Sequence, residues 1–128
     1  METQVVYNSD LHFEHRLWKN ELLFWKDEIK SFQNRLDELI TRWTDKEVLK
    51  ELSQFQNKFI IHNNKIEEFL DKIDAHELNI AKHYEIHQNV IDLPDLKSHN
   101  EFRLKMESER GIYDQLKKEF FKFLSRYM

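Results

Sequence analysis

The sequence contains no cysteine, one glycine and one proline in 128 residues. Without cysteine there is no disulfide, no thiolate nucleophile and no cysteine-held zinc or iron–sulfur centre. So little glycine and proline leaves almost nothing for tight turns, which argues against hairpin-rich sandwiches, barrels and doubly wound α/β sheets. A glycine-rich phosphate loop is excluded for the same reason. The formal net charge of −4 gives no electrostatic attraction for nucleic acid. The longest apolar runs, at residues 22–25 and 59–61, are far too short to span a bilayer. The first residues show no basic segment leading into an apolar one, so no secretory signal is read and a cytoplasmic location is expected.

Charged residues make up 34% of the chain and hydrophobic ones 40%. That balance suits long amphipathic helices. Core positions recur at alternating steps of four and three from Leu11 through His15, Trp18, Leu22, Trp25, Ile29, Phe32, Leu36 and Leu39 to Trp43. This is heptad periodicity. It predicts a first helix over about 9–43, with Ser9 as its N-cap. A second frame runs from Val48 to Val90 and predicts a helix over about 45–90, opened by a capping box at Thr44 and Glu47. That helix would be roughly 70 Å long at ~1.5 Å per residue. A break at Asn63–Asn64 would make the bundle four helices instead of three. Pro94 is the breaker that follows, and a second capping box at Ser98 and Glu101 places the third helix at about 98–127. The expected fold is all-α, an antiparallel up-down-up bundle of one domain over 9–128, preceded by an arm over 1–8.

The second helix outruns its neighbours in this layout. Leu36, Leu39, Trp43, Val48, Leu52 and Phe55 would then overhang, exposed, and offer the face of a homodimer or of another protein partner. A separate stripe of Phe13, Leu17 and Phe24 lies off the main seam of the first helix. The cations Lys117, Lys118, Lys122 and Arg126 read as a solvated helix face.

All but one of the 7 histidines fall on the apolar frames: His15, His62, His76, His83, His87 and His99. Glu109 joins them on the third helix. Leaving such a group buried and unpaired costs roughly 1–3 kcal/mol, and more if it is charged. Folding the second helix back on the first brings His15 level with His76, and His12 close by. Folding the third about a turn at 92–97 brings Glu109 between His76 and His83, Met106 near His83, and His99 near His87. Glu14 and Glu77 flank the seam, and His62 stands apart as a register or hydration feature.

His83 and His87 form an HxxxH pair, two imidazoles on one helical face that can chelate one ion. The pair and the spacing from His87 to Asp92 resemble fragments of the hemerythrin pattern, but no HxxxE accompanies them. The Glu-x-x-His motif of di-iron bundles and the HExxH motif of zinc proteases are absent. The reading is a small helical bundle holding zinc, copper or iron through His15, His76, His83 and Glu109, with His87, His99 and His12 as further candidates. Storage, buffering or sensing would follow. No nucleophile–base pair and no organic-cofactor motif is found, which disfavours an ordinary enzyme. The alternative is a coiled-coil adaptor without metal, whose core histidines set register or respond to acid.

Overall fold

A computed structural model describes residues 8–87 and 93–127, with side chains for 9–82 and 94–127. Three helices make up the described chain: α1 (Asn8–Arg42), α2 (Lys46–His87) and α3 (Leu93–Tyr127). The expected N-terminal arm lies outside the described residues, apart from Asn8, which opens α1. α2 continues through Asn63 and Asn64, so the four-helix alternative does not hold.

The heptad frames form the core. Trp18, Leu22, Trp25 and Ile29 of α1 meet Phe59, Ile66, Phe69 and Ile73 of α2 and Met106, Tyr113, Phe120 and Phe123 of α3. Burying each large apolar side chain contributes roughly 1.5–3 kcal/mol. Polar side chains along the edges of the seam report the directions of the helices. Glu14, Glu21 and Glu28 of α1 pair with Arg103, Arg110 and Lys117 of α3 at 2.6, 2.7 and 3.1 Å. Both series ascend by heptads, so α1 and α3 run parallel. Lys19 and Lys26 of α1 pair with Asp74 and Glu67 of α2 in descending order, so α2 is antiparallel.

Two helix starts differ from expectation. Asp45 caps α2 in place of Thr44, accepting from the backbone N–H of Glu47 at 2.8 Å and of Val48 at 3.4 Å. α3 begins at Leu93, about one turn before the predicted start. Pro94 therefore sits in the first turn, where its missing N–H removes no helical hydrogen bond, and Asp95 complements the positive helix end. The Ser98–Glu101 pattern lies inside the helix and caps nothing.

The early start slides α3 along the bundle. Its end now covers the expected overhang: Trp43 meets Tyr127 edge-on at 5.4 Å, and Phe55 packs on Phe123 at 5.0 Å. Leu36, Leu39, Val48 and Leu52 are buried, and Trp43 and Phe55 are half-buried against them. This surface is spent inside one chain, which removes the exposed face proposed for a partner. The stripe on α1 is exposed as expected, with Phe13 61% and Phe24 60% accessible. Gly111 faces outward, and a Cβ there would meet nothing within 4 Å. No helix among the described residues is long and apolar enough to cross a membrane.

Candidate metal centre

His15 lies on the core face of α1 between Leu11 and Trp18. His76 follows Ile73 by three residues on α2, and His99 precedes Phe102 by three on α3. The apolar frames thus carry one imidazole inward from each helix. His15 and His99 are buried and His76 is half-buried. The Trp18 indole stacks on the His99 ring at 4.8 Å between centroids, fixing its plane.

Three ring nitrogens converge. His15 Nε2 stands 3.1 Å from His76 Nδ1 and 3.1 Å from His99 Nδ1. One ligand atom from each ring lies within 4.8 Å of the other two. Zinc–nitrogen bonds of about 2.0–2.1 Å at tetrahedral angles place ligand nitrogens roughly 3.3 Å apart. Two of the three edges of the cluster, both from His15 Nε2, are close to that length.

Carboxylates hold the outward nitrogens. Glu77 engages His15 Nδ1, and its second oxygen lies 2.5 Å from His12 Nδ1. Glu14 sits 2.5 Å from His99 Nε2 and is itself gripped by Arg103 at 2.6 and 2.8 Å. A carboxylate beside a ring nitrogen fixes the proton there and leaves a lone pair on the other nitrogen. His15 Nε2 and His99 Nδ1 therefore point bare lone pairs at one another. His76 Nδ1 faces His15 Nε2 and donates to it in the tautomer protonated there. His76 Nε2 is buried with no hydrogen-bond partner. A cation at the centre, either a proton or a metal ion, removes the clash.

Burial disfavours the proton. Desolvation lowers the His15 pKa against the opposing pull of Glu77, and it lowers His99 to about 4 against Glu14. The Arg103 guanidinium holds the Glu14 carboxyl below its ordinary value, keeping it ionised as an acceptor. Neutral imidazoles oriented by carboxylates are the form that binds zinc, copper or iron.

The remaining predicted residues separate. Glu109 joins His62, with its Oε2 3.2 Å from His62 Nδ1, and not His76. The slide of α3 accounts for this. His62 lies flat on Tyr113 at 4.6 Å, and burial lowers its pKa to about 4 and raises that of Glu109. His99 faces His15 and His76. Met106, expected near His83, is buried in the apolar core. His12 is exposed and touches the centre only through Glu77. The side chains of His83 and His87 lie outside the described residues.

Glu14, Glu77 and Arg103 were not among the predicted ligands. Their signal was present. Glu14 precedes His15, Glu77 follows His76, and Arg103 continues the heptad ladder that pairs α1 with α3. No family model, curated protein or solved structure matches this chain.

Proposed function

We propose that the chain binds one transition-metal ion through His15 Nε2, His76 Nδ1 and His99 Nδ1. The observation that supports this is the facing of two carboxylate-fixed lone pairs, those of His15 and His99, across 3.1 Å in a buried site. An all-imidazole set suits zinc, copper or iron and argues against magnesium and calcium, which take oxygen ligands. One site in the bundle core suits buffering or sensing of an ion better than bulk storage. Glu77 and Glu14 would raise the basicity of the ligands and fix their rings. Calorimetric titration of metal-free chain with zinc, copper(II) and iron(II) tests the reading. It requires one-to-one binding of at least one ion that His15→Ala and His99→Ala abolish. Absence of binding by all three ions would remove it.

A second reading, an adaptor that self-associates, is favoured by one observation. Phe13, Leu17 and Phe24 form an exposed apolar stripe along α1. A second copy could bury that stripe against its own by two-fold symmetry. Light scattering of the wild type against Phe13→Ser/Phe24→Ser separates the cases. A dimer lost in the variant supports association, and a monomer in both rejects it.

A further inference from the structure

Two cavities touch His15, on different sides of α2. One, of about 240 Å³, lies between α1 and α2 and is lined by His12, Asp74 and Glu77. Glu77 closes that side by engaging His15 Nδ1. The other, of about 330 Å³, opens between α2 and α3. His15 and His76 line it together with Phe102, and it bears Lys72, Lys105 and Glu101. His15 belongs to α1, so a cavity between α2 and α3 that reaches it extends inward to two of the three ligand residues, His15 and His76.

Resting on the metal reading above, we propose that the bound ion keeps one coordination position open to this second cavity, and that the position takes a small oxygen-donor anion of carboxylate size. Three observations support the assignment. The described residues supply three converging ligand atoms, one fewer than a closed tetrahedral site needs. The volume is ample, because a water molecule occupies roughly 30 Å³ in the liquid. The charge is favourable, because a divalent ion and Lys105 outweigh the single carboxylate of Glu101, while Lys72 is already paired with Glu68 at 3.0 Å. Phe102 gives the entrant an apolar wall, and Asn79 and Ser98 supply hydrogen-bonding groups. Protein carboxylates do not compete from the other side, since Glu77 and Glu14 are both engaged with the outward nitrogens.

The test uses the full chain loaded with cobalt(II), whose visible d–d band reports coordination. Acetate and azide are titrated in, and retention of cobalt is followed by equilibrium dialysis. The expected result is a saturable change in the band with cobalt retained. Lys105→Ala should weaken acetate about tenfold and leave cobalt affinity within about twofold. Cobalt that binds with a band unmoved by either anion overturns the open position and leaves the metal reading intact. Unchanged acetate affinity in the variant overturns the role of Lys105. Failure of the wild-type chain to take up cobalt overturns both readings.

Discussion

His15 Nε2 and His99 Nδ1 stand 3.1 Å apart, each turned inward because a carboxylate holds the opposite nitrogen of its ring. Neither has a proton to give. His76 Nδ1 can donate to His15 Nε2, which leaves the His99 Nδ1 acceptor facing a second acceptor, and a cation turns that conflict into a binding site.

Bound metal should stabilise the fold by mass action. At a hundredfold excess of free ion over Kd the gain is about 2.7 kcal/mol. Thermal melts with and without zinc should show this as a rise in Tm. His15→Ala and His99→Ala should lose the rise. A rise of equal size in both variants would place the ion elsewhere.

The outward carboxylates should matter nearly as much as the ligands. Glu77→Gln and Glu14→Gln keep shape and remove charge, and each should weaken metal affinity by roughly 10–100-fold. Calorimetry on the two variants checks this. Affinities equal to wild type would mean that the carboxylates do not orient the rings.

His83 and His87 should not contribute. At ~1.5 Å per residue they lie roughly 10 and 16 Å beyond His76 along α2. His83→Ala and His87→Ala should leave zinc affinity within about twofold. A tenfold loss in either would draw the HxxxH pair back into the site.

Acid should destabilise the metal-free chain through His62. The unfolded imidazole takes up a proton near 6.5, and the folded one only near 4. Between those values the unfolded state binds more protons, so stability is full above about pH 6.5 and falls until about pH 4. The contribution is at most about 3 kcal/mol. Glu109, raised by burial, acts in the opposite sense and gains a proton on the folded side as pH drops. Urea titrations across this range should therefore show a shallower acid loss in His62→Phe and a steeper one in Glu109→Gln. Identical slopes in all three chains would contradict the assignment.

The ladder between α1 and α3 should be reversible in sign. Glu21→Arg alone places two cations together beside α3, and Arg110→Glu alone places two carboxylates together. The double exchange restores the pair. Each half-exposed bridge contributes about 0.2–1 kcal/mol, so a double-mutant cycle should return a coupling of that order. A coupling of zero would leave the parallel alignment to the apolar seam alone.

The helices and their inward faces were legible because apolar residues at heptad spacing leave little choice of face. The meeting of His15 with His76 followed from the short turn after α1, where an error of one residue moves nothing out of reach. The meeting of His99 with both did not follow. Ser98 and Glu101 carry the pattern of a helix start, while Pro94 and Asp95 carry a competing one, a proline in the first turn with an acid beside it. The second pattern prevails. The resulting slide takes Glu109 to His62 and buries Leu36 and Leu52 under the end of α3. The sequence places Glu77 and Glu14 beside the seam but gives them no role toward the rings, because they sit one position off the apolar frame, where a carboxylate ordinarily reads as solvated surface.

X-ray absorption at the zinc edge of the loaded chain reads the three-imidazole site itself. Three imidazole nitrogens at about 2.0–2.1 Å, with one further light atom, are predicted at one zinc per chain. A shell dominated by oxygen, or one unchanged when His15, His76 and His99 are all replaced by alanine, would contradict it.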